Sequence, residues 1–439
     1  MIQPLRYKHH CQQTSVLKHI LWITLALLVS YSLQANSLMD IYKQAEQQEP
    51  NFLAAQYNLA ADQQKLPQAQ AALLPQVNIN LNKNWPLESS MGANRRYGVT
   101  LNQPVQLDAY YNYKAIQQLD RKAQVTFEKA VQDLIFKIID TYFKVLLQQN
   151  ALDSAKVELK VVNQRLDQLQ RQFELGMITL ATLQDSAATL KQTEVALLQN
   201  QESYDQTIDA LRLLTNDKGK LVIAPLDDDY PVIPIVPSTL LEWEQLAQTN
   251  NLDLRATDLT VNQAFHSYEA KQAGRYPTLS VSADKFYTYN ALGLSEKSDS
   301  AKISVSLSGS LYDAGLNRAQ TIEAMKKWQA SKQQRSATWR SIRQQISTLY
   351  RRIQTNIAQV NAQQQLVNAK QIALQAKEKE QQLGLRDLVD VLQAQRDVFS
   401  AQRSYDSARF DYLMNSVKIR QVAGILTTGD LKRLDYWLR

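Results

Sequence analysis

The sequence predicts a mainly α chain with a small β part: long, coiled-coil-like helices, four strands, and an internal two-fold repeat. Three observations predict it. Four long runs contain neither glycine nor proline, two pairs of short segments alternate apolar and polar residues, and the whole pattern occurs twice within 439 residues.

Residues 1–19 carry Arg6, Lys8 and Lys18 and no acidic residue; an apolar stretch from Ile20 to Tyr31 follows, ending near Leu33-Gln34-Ala35. A basic head, a short apolar middle and a small-residue end mark a secretory signal peptide. The alternative is a membrane anchor, but the run is well short of the roughly 20 residues that cross a bilayer. Residues 1–35 are therefore expected to be cleaved. Cys11 precedes the apolar run, so it is misplaced for a lipid acceptor, and the mature chain is expected to lack N-terminal lipid.

Removing 1–35 takes the one cysteine and three of the 4 histidines (His9, His10, His19), leaving His266. A Cys/His metal centre, a cysteine nucleophile and disulfides are then excluded. His266 lies in the helical run AFHSYEA and reads as a packed or solvated side chain. The net charge of +7 falls by the three charges of Arg6, Lys8 and Lys18. What remains is too mild and too dispersed to point to nucleic acid; it reads as a solvated surface.

The first repeat, 36–218, opens with a helix and continues into a hairpin expected at 76–104. Val77, Ile79, Leu81 and Trp85 alternate with asparagines, and Tyr97, Val99 and Leu101 alternate with Gly98, Thr100 and Asn102. Period-two alternation marks strands with one apolar and one polar face. Val105 to Leu175 and Met177 to Lys218 contain no glycine or proline and are rich in Ala, Gln, Leu, Lys and Arg. Helices are expected at 109–175 and 179–214, the longer reaching about 100 Å at 1.5 Å per residue. In LDQLQRQFEL apolar residues recur every three or four positions, a narrow stripe suited to packing on neighbouring helices.

A proline-rich insert, 219–240, with Pro225, Pro231, Pro234 and Pro237, reads as a linker. The second repeat, 241–439, has helices, a hairpin at 278–311, long helices at 316–383 and 387–423 and a short C-terminal segment. Leu279, Val281 and Ala283, then Ile303, Val305 and Leu307, alternate with small polar residues. Leu74-Pro75-Gln76-Val77 aligns with Tyr276-Pro277-Thr278-Leu279, and Gly176 with Gly384.

A soluble sheet with this pattern would bury its apolar face against helices; a secreted chain can instead turn that face to lipid. Four strands cannot close a barrel, and the smallest membrane barrels have about eight, so a barrel here requires several copies of the chain.

SLMDIYKQAEQQEPNFLAAQ (37–56), AALLPQVNINL (71–81), FELGMITLATLQDS (173–186), LGLRDLVDVLQAQ (383–395) and AGILTTGDL (423–431) resemble, in content and order, the TolC family of outer-membrane efflux and type I secretion proteins. The resemblance runs from Ser37 to Trp437. It implies a homotrimer whose strands form one shared outer-membrane β-barrel in contact with lipid, and whose helices form a long periplasmic α-barrel. It also implies a periplasmic adaptor (membrane fusion) protein and an inner-membrane transporter, ABC or proton-driven, with no cofactor and no nucleic acid.

Function then means gating. Gly176 and Gly384 are expected at the periplasmic helix turns, and Thr179 and Asp387, three residues beyond each, as N-caps of the following helices. Asp387 and Asp390 could place carboxylates at a constriction and favour cations; acids in a first helical turn also stabilise it by capping and dipole interaction. Both readings stand. The resemblance puts Arg386 and Asp390 where the family has a gate-restraining arginine and the first of two pore-constricting aspartates. Gln393 replaces the second aspartate. Ala181 and Thr182 stand where a threonine and an aspartate are expected, and Gln381 where a tyrosine is, so the particular gate contacts do not carry over.

A periplasmic coiled-coil adaptor or scaffold without a channel would account for the helices but has no need of two alternating hairpins. For an enzyme the sequence lacks GxSxG, a Gly-rich loop and HExxH, and Asp227, Asp228 and Asp229 read as a solvated turn. The cargo is left open among proteins, drugs, siderophores and metal ions, with a lean toward a type I secretion or shared secretion-and-efflux duct because no lipid-acceptor cysteine is present.

Overall fold

Three short helices, α1 (Leu38–Gln48), α2 (Pro50–Gln63) and α3 (Lys65–Ala71), lead into strands β1 (Gln76–Asn84) and β2 (Asn94–Val105), then into the long α4 (Leu107–Glu174) and α5 (Leu180–Thr215). The order recurs in α6 (Leu240–Asn250), α7 (Leu252–Ala273), β3 (Thr278–Asn290), β4 (Ser298–Ser308), α8 (Leu316–Gln382) and α9 (Leu388–Val422), with α10 (Thr428–Asp435) last. This computed structural model describes residues 37–85, 94–216, 221, 223–227, 230–290, 298–386 and 388–438. The segment 1–35, read as a signal peptide, lies outside them, as do Asp228 and Asp229.

The helices α4 and α8, of 68 and 67 residues, are each about 100 Å long. Each is spanned by shorter partners: α4 packs on α7 and α5, and α8 on α7 and α9. Along α8, Ile346, Ile353, Val360 and Val367 are buried, and along α9 so are Ala394, Ala401 and Ala408. A strict seven-residue spacing on both helices imposes a left-handed supercoil. The alanines let α9 approach closely, while the buried Asn356 accepts a 2.9 Å hydrogen bond from Asn415 inside the seam. A polar pair there fixes register, because sliding the helices would leave both amides unpaired.

The largest apolar clusters sit at mid-length. One gathers Leu38 and Ile41 of α1, Ile138, Ile139, Tyr142 and Phe143 of α4, Leu211 of α5, Leu413 of α9 and Leu431 of α10. The other centres on Trp243, Leu254, Ile346, Ile353, Tyr412 and Ile419. The proline-rich segment read as a linker is strapped across these helices. The Tyr412 hydroxyl donates to the Ile233 carbonyl (2.7 Å) and accepts from its amide (3.3 Å); Tyr350 donates to the Ser238 carbonyl (2.6 Å), and the Trp243 indole to that of Pro237 (2.7 Å). Prolines suit such a strap because its chain meets side chains rather than a strand ladder. Asp227 is likewise held in the fold, its carbonyl accepting from Arg409 at 2.7 Å.

The strands form one antiparallel sheet in the order β1-β2-β3-β4. Val77, Ile79 and Leu81 lie opposite Leu101, Val99 and Tyr97; Leu279, Val281 and Ala283 lie opposite Leu307, Val305 and Ile303. These apolar side chains therefore share one face, and Ile79, Leu81, Ile303 and Val305 are exposed. Among the described residues no helix is packed across that face. β4 stops at Ser308 rather than at the expected 311 because Asp313 takes over the chain: its carboxylate accepts from the amides of Gly315 (3.0 Å) and Asn317 (2.8 Å) and starts α8. Those amides hold the Asp313 carboxyl below the usual carboxylate range. Among the described residues no helix is long and apolar enough to cross a membrane.

Candidate functional site: the helical turns and the sheet

At the end farthest from the sheet, α4 turns into α5 and α8 into α9. In the first turn the Met177 amide donates to the Gln172 carbonyl and the Gly176 amide to that of Phe173, both at 2.8 Å. In the second, Leu385 donates to Glu380 (2.9 Å) and Gly384 to Gln381 (3.0 Å). This pair of bonds closes a helix whose next residue is left-handed. Gly176 and Gly384 supply it, with φ of 72° and 73°. Thr179 caps α5: its hydroxyl accepts from the Thr182 amide at 3.3 Å and meets the Thr182 hydroxyl at 3.1 Å. Asp387, expected to cap α9 and to line the constriction, lies outside the described residues. Leu175, Met177, Leu180, Leu383 and Leu385 are exposed around the two turns.

The second turn is charged. Arg386 Nε donates to Glu380 Oε2 at 2.5 Å and its Nη1 to Asp390 Oδ2 at 3.2 Å. Glu380 foremost, then Asp390, raise the guanidinium pKa above its ordinary value. The arginine thus ties the last turn of α8 to the first of α9. Ala181, Thr182 and Gln381, where the family pattern places other contacts, are not among its described partners. Gln393 lies one turn beyond Asp390 on the exposed face and donates to Asp397 Oδ1 at 2.9 Å, while Lys370 of α8 donates to Asp397 Oδ2 at 2.7 Å. The Lys370 ammonium holds the Asp397 carboxyl below the usual carboxylate range.

Two participants escaped sequence reasoning. Glu380 is six residues before Arg386, across a chain reversal that helical spacing does not count. Asp397 is seven after Asp390, a spacing that places it two turns along the same helix face, and that signal was readable. His266 bonds Glu269 at 2.7 Å and packs on Phe265, a local surface pairing.

The outer membrane efflux protein family matches residues 41–217 and 243–425, nearly all of both repeats. The chain belongs to that family. It is 26% identical over 435 residues to the outer membrane protein TolC of Vibrio cholerae, covering 95% of this chain and 98% of that one. It is 23% identical to the alkaline protease secretion protein AprF of Pseudomonas aeruginosa, covering 92% of this chain and 88% of that one. Among solved structures it resembles CusC, with a TM-score of 0.78 at 17% identity over 90% of this chain and 95% of that one. The open state of the Neisseria gonorrhoeae MtrE outer membrane channel gives 0.77 at 19% identity, over 89% and 90%. The family is one of channel proteins. As a member, this chain is an outer-membrane exit duct for efflux or type I secretion, with its long helices extending into the periplasm.

Proposed function

We propose that the duct is a homotrimer whose closed state is latched by Arg386, bound between Glu380 and Asp390 on the second helical turn. That three-residue cluster carries the reading. Three copies of a four-stranded sheet exceed the roughly eight strands that close the smallest membrane barrels, and the free edges β1 and β4 are the ones left to pair between copies. Side by side, the helices then enclose a tunnel that narrows at the turns. Asp390 and Gln393 share the exposed face there and favour passage of cations. Gln393 in place of a carboxylate leaves a weaker acidic ring.

The exposed leucines at the turns are a docking surface outside the membrane for a periplasmic adaptor, which couples the duct to an inner-membrane transporter. Secretion cargo is favoured by the protease secretion proteins AprF and PrtF, matched over 92% and 96% of this chain. Residues 1–35 are removed on export. The test is the mass and single-channel conductance of the detergent-purified mature protein. A trimer forming small cation-preferring pores is expected; a water-soluble species without conductance would overturn the duct and leave a coiled-coil scaffold.

A further inference from the structure

The apolar face of the sheet ends in a row of different chemistry. Its rows run in register from Val105, Leu279 and Leu307 beside the helices to Lys83, Arg95 and Tyr289 beside the hairpin turns. The ten residue steps from Leu279 to Tyr289 make about 33 Å of strand and, at a barrel tilt near 40°, about 25 Å of height. That is the height of the apolar band of an outer-membrane barrel. With the helices in the periplasm, the last row therefore stands at the headgroups of the outer leaflet.

The residues of that row and of the one before it suit that depth. Tyr97 stacks on Tyr287 and on Tyr289, with centroids 5.6 Å apart in each pair, and aromatic rings favour the interface. Lys285, nearer the middle of the band, is neutralised by Asp299. Lys83 and Arg95 are different. Both are exposed, and among the described residues neither meets a carboxylate; the Lys83 ammonium instead lies 4.2 Å above the exposed Trp85 ring. A cation deep in the apolar band is neutralised, and among the described residues Lys83 and Arg95 at its rim are paired with no carboxylate.

We propose that Lys83, above the Trp85 ring, and Arg95, in register with Tyr289, bind the phosphate groups of the anionic lipid filling the outer leaflet. The Arg95 guanidinium takes two phosphate oxygens in a fork, and Lys83 adds a point charge. This rests on the reading that the apolar face of the sheet meets lipid.

The test is native mass spectrometry of the full mature protein in detergent with added bisphosphorylated lipid A, fully dephosphorylated lipid A or phosphatidylcholine, alongside conductance. Wild type is expected to retain bisphosphorylated lipid A selectively. K83Q/R95Q is expected to lose it about tenfold, the loss of two charge-assisted contacts, with unchanged conductance. K302Q, whose side chain points to the opposite face, keeps it. Should K83Q/R95Q fail to assemble, K83R/R95K must retain the lipid and raised salt must strip it from wild type. Undiminished lipid A binding by a conducting K83Q/R95Q trimer, or equal retention of the dephosphorylated form by wild type, overturns the site alone. Wild type without conductance overturns the duct reading and the site with it.

Discussion

Counted from their glycines, the two helical turns carry one backbone and two sets of side chains. Gly176 and Gly384 have φ of 72° and 73° and the same closing hydrogen bonds. Yet Gln172, Ile178 and Thr182 stand where Glu380, Arg386 and Asp390 stand in the second copy, and Val162 and Thr189 where Lys370 and Asp397 do. The first turn is held by a hydroxyl cap, the second by ion pairs. Duplication preserved the shape and concentrated the charge in one copy. Neutral and charged turns would then alternate around a trimer, and movement under a shift of charge belongs to α8 and α9.

The largest expected effect breaks this asymmetry directly. Arg386→Ala should raise single-channel conductance several-fold without changing the trimer mass, whereas Ile178→Ala, its counterpart, should leave conductance alone. Both pairs of Arg386 are solvent-exposed, so the latch should weaken in high salt. Equal conductance changes in the two variants would remove the second turn from its place as the gate.

Gly176→Ala and Gly384→Ala sharpen the other half of the comparison. A Cβ at either position meets nothing within 4 Å. The cost is then backbone strain alone, about 1–2 kcal/mol each for a left-handed alanine. Equal losses in thermal unfolding are expected, and unequal ones would mean that the turns are not alike even in backbone. Thr179→Ala should cost about 1 kcal/mol, the worth of a helix cap. It should leave conductance unchanged, since among the described residues the Thr179 hydroxyl bonds only the amide and hydroxyl of Thr182.

Features that repeat along the chain were legible before folding. Breaker-free runs marked the long helices to within two residues, because a helix of this length tolerates neither proline nor an uncapped glycine. Alternation marked both faces of the sheet, because a strand has a period of two. Features set by chain reversal or crossing were not legible. Glu380 reaches Arg386 around a left-handed glycine, and Asn356 meets Asn415 across 59 residues. The proline-rich segment looked like a connector, because nothing in its composition shows that Tyr412, far along the chain, donates to its backbone. At the candidate gate, sequence named Arg386, Asp390 and Gln393 but not what they bind.

The smallest effect concerns acid. Lys370 holds the Asp397 carboxyl below the usual range, so the folded pKa lies below the unfolded value of roughly 4. A depressed carboxylate contributes stability that is fully present above the unfolded pKa and lost as pH falls through the folded one. The contact of α8 with α9 should therefore be constant from pH 7 to 5 and loosen only below about 4. Half-exposed pairs of this kind are worth within about 1 kcal/mol. The α4 and α5 pair, with Val162 and Thr189 at those positions, has no such bond to lose. Spin-label distances across each hairpin between pH 7 and 3 would show broadening in the second alone, and Asp397→Asn should broaden it slightly at every pH. Broadening of both hairpins together would mean that acid acts elsewhere, on the shared equatorial core, where Asn51, the Phe52 amide and Lys137 outweigh burial and hold Glu49 below its ordinary range.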